Sequence, residues 1–331
     1  MTPKKKPKTN PHGWPTVGHN EVASKIKKHT STRKGFPTME ALHIDHLNKS
    51  YGDKHVLKDM TFSVQPGQIY GFVGSNGAGK STTMRIALGV LSSDSGAVRI
   101  GDTPMNDDLR RLIGYMPEER GLYAKEKLAD QLAFFGRLHG MDKSRAQKNA
   151  EGLLERLGLA ERMDDKLDEL SLGNQQRVQL AASLIHDPEL LILDEPFSGL
   201  DPVAVNVMSE MLQERARAGV PVVFSSHQLD LVQRLCDRVG IVAHGAMKAE
   251  GTVNELRTRG PVRFEVATPA RNWYPEWARL VGETEHSVLL EVDSSERDQE
   301  LLHSALNAGP VHGFGRNVPD LTELFREVVQ A

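Results

Sequence analysis

The stretch Gly74-Ser75-Asn76-Gly77-Ala78-Gly79-Lys80-Ser81-Thr82 has the spacing G-x-x-x-x-G-K-[ST], which suits the chemistry of phosphate binding. Glycines let the backbone curl so that successive N–H groups point into one concavity, and a helix that starts where the loop ends adds partial positive charge there. In such a loop Lys80 reaches terminal phosphates and the Ser81 hydroxyl can ligate Mg2+. A second set of chemical groups closes the aliphatic run Leu190-Leu191-Ile192-Leu193-Asp194-Glu195-Pro196. Asp194 can join the shell of a bound Mg2+, and Glu195 can orient or deprotonate an attacking water. Two adjacent carboxylates at a buried strand end are costly unless a metal or hydrogen-bond donors compensate them. His227 follows a third apolar run, Val220 to Ser225, where an imidazole can contact a phosphate and the water that attacks it. Standing alone, such a histidine reads as structural.

The elements that must hold these groups are legible in the pattern. Gln68-Ile69-Tyr70-Gly71-Phe72-Val73 is a short apolar run ended by glycine, as expected of a central strand buried on both faces, and Thr83 to Leu88 continues as a helix. Earlier, Leu42 to Leu47 and Val56 to Val64 alternate as strands around a Tyr51-Gly52-Asp53 turn. His43 and His46 lie in the first of these, and strand alternation would send residues three apart to opposite faces, against a metal pair. Between about 124 and 170, Leu128, Leu132, Phe135 and Leu138 form one helical stripe and Leu153, Leu154, Leu157 and Leu159 another.

Glu169-Leu170-Ser171-Leu172-Gly173-Asn174-Gln175-Gln176-Arg177 lies between the loop and the acidic strand, and it resembles the signature of ABC-type ATPases. The family's other marks occur around it in order. Tyr51 resembles the aromatic that stacks on adenine, Glu118 occupies the usual glutamine position, Ser198-Gly199-Leu200-Asp201 resembles the D-loop, and His227 resembles the switch histidine. The resemblance covers about residues 40 to 255 and implies an α/β P-loop NTPase fold with an antiparallel β subdomain and a helical subdomain at about 118–186. It implies ATP and Mg2+ as ligands, with Ser81, Asp194 and Glu118 around the metal and Glu195, His227 and Lys80 as catalytic groups. Ser171 and Gly173, opening a helix through Val178, Leu180, Ala181, Leu184 and Ile185, would present a hydroxyl and N–H groups to the γ-phosphate of an opposite protomer. By itself Ser171 reads as an ordinary helix cap. Asp201 would lie at the seam of the resulting homodimer or heterodimer.

Two departures refine the resemblance. Leu172 and Asn174 replace the commonest glycine and glutamine of the signature, and Glu118 in Gly114-Tyr115-Met116-Pro117-Glu118-Glu119 adds a charge where the family has an amide. The variant resembles the branch of sodium and drug efflux ATPases. That branch implies an exporter motor driving an integral membrane permease on a separate chain, from the cytoplasmic face of the membrane.

Composition bounds the alternatives. At 331 residues, 39% apolar and 26% charged, the chain is ordinary globular material for about two domains. A single cysteine, Cys236, excludes an internal disulfide framework and reads as a small core residue. No apolar run approaches the ~18 residues of a spanning helix, and the lysines near the start precede no apolar signal segment.

Residues 1–38 carry a net charge of +8 against −11 for the rest, so a disordered, solvated basic tail is expected; Met39 opens the well-patterned segment and is an alternative start. That tail is the one feature in favour of a soluble ABC-type ATPase acting on ribosomes or nucleic acid; a single cassette without a heptad array opposes it, and no specific nucleic acid is expected. The core domain is expected over 39–255 and a small C-terminal α+β accessory domain over 256–331. In the latter, Val262 to Val266 and Ser287 to Val292 alternate as strands. Leu301, Leu302 and Leu306, then Leu321, Leu324, Phe325 and Val328, form helical stripes. Trp273, Tyr274 and Trp277 suit either a binding surface or that domain's own core. Phe134 and Phe135 suit either a membrane partner or the core.

Overall fold

The computed structural model describes residues 40–119 and 121–330; the basic segment 1–38 lies outside the described residues. Strands β1 (Leu42–Tyr51) and β2 (Lys54–Val64) form an antiparallel hairpin that turns at Gly52, whose φ of 57° glycine adopts without a Cβ clash. With β4 (Ser95–Ile100) and β5 (Thr103–Pro104) it makes a sheet ordered β2-β1-β4-β5. Alternation fails within β1. His46 adopts φ 51° in a bulge, so burial jumps from Leu42 and Ile44 to Leu47 and the opposite-face argument does not hold for His43 and His46. His46 instead bonds Asp59 at 2.6 Å, and no cluster of three metal-ligating acids, histidines or cysteines occurs among the described residues.

The second sheet runs β10-β9-β3-β8-β7-β6. It contains β3 (Ile69–Gly74), β6 (Ile113–Met116), β7 (Leu190–Leu193), β8 (Val222–Ser226), β9 (Arg238–Ala243) and the antiparallel edge β10 (Ala246–Thr252). Every residue of β3, β7 and β8 is buried, because both faces are covered. Period-2 alternation divides them: Tyr70, Phe72, Leu190, Ile192 and Val223 face the antiparallel sheet and helix α1 (Lys80–Ala87), with Phe62 stacked on both Tyr70 and Phe72. Ile69, Val73, Leu191, Leu193, Val222 and Phe224 join the other core.

That other core is covered by helices. After the short α2 (Asp107–Arg110) come α3 (Leu128–Leu138), α4 (Lys143–Arg156) and α5 (Leu172–Leu184), the helical layer. The stripe expected on α3 holds for Leu128 and Leu132 and, half-buried, Phe135, but Leu138 is 65% exposed. At 3.6 residues per turn, ten residues from Leu128 rotate that position off the buried side. Phe134 is also exposed, so of the aromatic pair only Phe135 serves the core. Leu153, Leu154, Leu157 and Leu159 are buried as expected. Helices α6 (Pro202–Arg217) and α7 (Leu229–Leu235) complete the layer. Cys236 follows α7 with its Sγ against Gly71, and burial pushes its thiol well above the usual range.

Beyond α8 (Val253–Thr258) the chain builds a third sheet, ordered β12-β13-β11-β14, from β11 (Val262–Ala267), β12 (Ala278–Glu283), β13 (Ser287–Val292) and β14 (Gly313–Asn317). Helix α9 (Asp298–Ala308) packs Leu301 and Ala305 on it, while Leu306 turns outward. Trp273, Tyr274 and Trp277 pack against this small core. The last helix, α10 (Leu321–Gln330), does not stay with that sheet as expected of residues up to 331. Leu321, Leu324, Phe325 and Val328 pack into the main core beside α7 and α8. The Leu321 N–H donates to Gln233 Oε1 at 3.0 Å, and Arg257 donates to the carbonyls of Pro319 and Val318.

Candidate functional site

Strand β3 ends at Gly74 and α1 starts at Lys80, so the glycine-rich segment is the crossing from the carboxyl end of a central parallel strand to a helix N-terminus. Two glycines are required by geometry. Gly79 caps α1 at φ 104°, and a Cβ there would sit 2.6 Å from Leu57 Cδ2; a Cβ on Gly74 would meet the Val242 carbonyl oxygen at 2.5 Å. Six other helices place a side-chain oxygen over their first turn, from Asn106, Asp142, Ser171, Asp201, Thr252 and Asp320. No side chain caps α1, which leaves its first N–H groups available to an anion.

Those groups open into a cavity of about 510 Å³. It is lined by Ser75, Asn76, Gly77, Gly79, Lys80, Ser81 and Thr82 of the loop, by Tyr51, Lys54 and Val56 of the first hairpin, and by Glu118, Asp194 and Glu195. Gly74 and Ala78 of the same segment are buried and do not line it. Lys80, only 7% exposed, donates to the Gly74 carbonyl at 2.7 Å, and its ammonium lies 3.9 Å from Glu195. A nucleotide polyphosphate would offer this cation stronger acceptors than a neutral carbonyl.

Asp194 and Glu195 emerge together from β7 and then diverge. Asp194, 2% exposed, accepts a hydrogen bond from Ser225 Oγ at 2.5 Å. Glu195 has φ 50°, an uncommon conformation for a residue with a side chain, and its carboxylate meets His227 Nδ1 at 2.9 Å. Burial, reinforced by the nearby Asp194 carboxylate, raises the Tyr115 hydroxyl above its ordinary range. Ser81, Glu118 and Asp194 all line this cavity and offer only oxygen ligands, a donor set whose chemistry fits Mg2+.

The remaining sequence candidates lie outside this cavity. Ser171 caps α5 by accepting from the Asn174 N–H at 3.4 Å, and Leu172 stands exposed beside Gly173. Gln175 points back, donating to the Leu167 and Leu170 carbonyls. Ser198, Gly199 and Leu200 lead to Asp201, which caps α6 through the Ala204 N–H.

Sequence reasoning missed the ties between these parts. Gln176 donates to the carbonyls of Glu195 and Pro196, and Gln179 donates to that of Pro117 at 2.7 Å. Helix α5 therefore touches both the Glu195 and the Glu118 segments. Their spacing of three, one helical face, was a usable signal. Lys54 in the cavity lining was signalled only by its nearness to Tyr51.

Comparison with known proteins agrees with this geometry. The ABC transporter family profile matches residues 57–198. The ABC transporter ATP-binding protein YhaQ of Bacillus subtilis (strain 168) is 36% identical over 298 residues, covering 88% of this chain and 99% of that protein. A Nod factor export ATP-binding protein I from Paraburkholderia xenovorans (strain LB400) is 35% identical, covering 65% of this chain and 72% of its own length. Among solved structures, an ATP-binding subunit of an ABC transporter superposes with a TM-score of 0.61 at 32% identity, over 65% of this chain and 91% of that one. The chain belongs to the ATP-binding subunits of ABC transporters. It is an ATPase whose hydrolysis serves transport, built on the ABC variant of the P-loop fold.

Proposed function

We propose that this subunit powers an exporter by closing and reopening a head-to-tail dimer around two ATP molecules. One observation carries the reading: Lys80, Asp194 and Glu195 converge on a single nucleotide-sized cavity, with His227 bonded to Glu195. In this reading Tyr51 stacks on the adenine and the N–H groups of Ser75 to Ser81 hold the phosphates. Lys80 neutralises charge on the transferring phosphoryl group, and Glu195, backed by His227, orients the attacking water and takes up its proton. Ser81, Asp194 and Glu118 would hold Mg2+, which when bound offsets charge on the β- and γ-phosphate oxygens.

The cavity is walled on one side by the glycine-rich loop and includes none of Ser171, Leu172, Gly173, Asn174 or the D-loop. Supplied by a second protomer, the exposed Ser171 cap and α5 N-terminus would close over the γ-phosphate, with Asp201 near the seam. Among the described residues no helix is long and apolar enough to cross a membrane, which fits a separate permease chain and a peripheral position at the cytoplasmic face. The export direction rests on the Nod factor export relative and on the efflux-like Leu172 and Glu118 variants.

The test is to express the Glu195→Gln form in its native cell, solubilise membranes gently with ATP present, and identify what copurifies in stoichiometric amount. A polytopic membrane protein is the expected result; ribosomal proteins or nucleic acid would overturn the transporter assignment of this reading.

A further inference from the structure

Ser225 is fully buried in β8, between β3 and β7, in a strand whose other residues are aliphatic, aromatic or serine. Its hydroxyl makes two hydrogen bonds, both to the acidic pair. It donates to Asp194 Oδ1 at 2.5 Å and accepts from the Glu195 N–H at 2.8 Å. Strand alternation explains how it can. Leu190 and Ile192 of β7 and Val223 of β8 share one face, so Asp194 and Ser225, each the next position of that parity, extend it side by side across the parallel pair. Glu195 would continue the alternation to the opposite face, but its left-handed φ of 50° turns the chain and swings its carboxylate toward Lys80 and His227. A non-glycine residue persists in that conformation only where its surroundings fix it; Gln176 holds the Glu195 carbonyl, and the buried bond to Ser225 holds its N–H on the strand side. The neighbouring hydroxyl divides the work: Ser226 Oγ accepts from the Gln228 N–H at 2.9 Å, shaping the turn that presents His227.

We infer that Ser225 is the positioning residue of the acidic pair, one hydroxyl that fixes the orientation of Asp194 and the strained backbone of Glu195 together and so sets the separation of the metal-holding carboxylate from the water-orienting one. The inference rests on the roles proposed for those two acids. A serine is suited to this because it can donate to a carboxylate and accept from an amide at once; alanine leaves both buried partners unsatisfied.

The experiment compares Ser225→Ala and Ser225→Thr with wild type, with Asp194→Asn and Glu195→Gln in parallel. The readouts are kcat, the affinity for ATP in EDTA, and the affinity for Mn2+ of the ADP-loaded protein, followed by the loss of the free-ion EPR signal. Ser225→Ala is expected to weaken Mn2+ binding and to lower kcat by about 10–100-fold while ATP affinity in EDTA stays within about twofold; the Thr variant, which keeps the hydroxyl, recovers both. If the Ala variant fails to fold, Ser225→Cys, close in size with only a weak S–H donor, carries the same comparison. Wild-type Mn2+ affinity and kcat in the folded Ala or Cys variant overturn the inference. Wild-type hydrolysis by Asp194→Asn and Glu195→Gln would instead overturn the underlying assignment of the acids, so the two failures are distinguishable.

Discussion

The imidazole of His227 lies 2.9 Å from Glu195, although the two follow the ends of different strands and only the glutamate is buried. The pair sits where β7 and β8 end side by side, so in the proposed mechanism removal of either group would act on the same reaction step. Glu195→Gln is expected to lower turnover at least about 100-fold, the usual cost of losing a general base, while ATP still binds. In size-exclusion chromatography with light scattering, that variant should accumulate as an ATP-dependent dimer. Hydrolysis at the wild-type rate would refute the assignment.

Lys80→Ala should behave differently. Lys80 holds the loop's own Gly74 carbonyl and would face the phosphates directly, so its loss should reduce turnover by about 100-fold or more and also weaken nucleotide binding. Isothermal titration with a non-hydrolysable ATP analogue separates it from the Glu195 variant, which keeps its affinity.

The loop glycines are not equivalent. An alanine Cβ at Gly79 would collide with Leu57 at 2.6 Å in addition to straining φ 104°, whereas Gly77, at φ 79°, has open space where a Cβ would stand. Gly77→Ala is therefore expected to cost about 1 kcal/mol, and Gly79→Ala clearly more, with loss of ATP binding. Paired denaturant titrations of the two variants measure the difference.

Acid should destabilise the protein through a histidine pair remote from the cavity. His139 and His186 stack at 3.7 Å, and burial together with His139 lowers His186 to about 4. The folded state thus holds this imidazole neutral while the unfolded chain binds a proton below about 6.5. Its contribution is complete above pH 6.5 and declines as pH falls toward 4, by at most about 3 kcal/mol. His186→Phe, which keeps a ring to stack, should flatten the loss of melting temperature between pH 7 and pH 5; an unchanged slope would show that other groups govern it.

Much of the site was legible because its parts are local in sequence. The loop from Gly74 to Thr82 announces itself by glycine spacing, and Asp194 and Glu195 by two charges at the end of an aliphatic run. What escaped depends on strand order. Ser225 reads as one small residue in an apolar strand, and only the adjacency of β7 and β8 gives it partners. The bulge at His46 is invisible for a similar reason, since one extra residue shifts the register without disturbing the composition. The stripe Leu321, Leu324, Phe325 and Val328 correctly gave a helix, but an apolar face does not name the core it enters. Leu138 failed because the stripe was extended one turn past where its rotation still faces inward.

The docking of α10 can be measured directly. Leu321, 1% exposed, anchors its start, and Leu321→Ala should cost about 2–5 kcal/mol if the whole body unfolds as a unit. If the helix detaches alone, hydrogen exchange should instead accelerate in α10 and in the facing surface of α7, with the rest protected.

The return of α10 to the main body also changes what the β11 to β14 sheet is within the chain. Arg257, just before it, grips the carbonyls of Val318 and Pro319, just after it, so the excursion leaves and re-enters at nearly one point. Topologically it is a long surface insertion and not a terminal appendage, tethered by two strands of chain that a single-stranded tail would lack. Such an insertion can be exchanged or shortened between its two tethers without cutting α10 loose, because α10 keeps its own seat against α7, α8, β9 and β10.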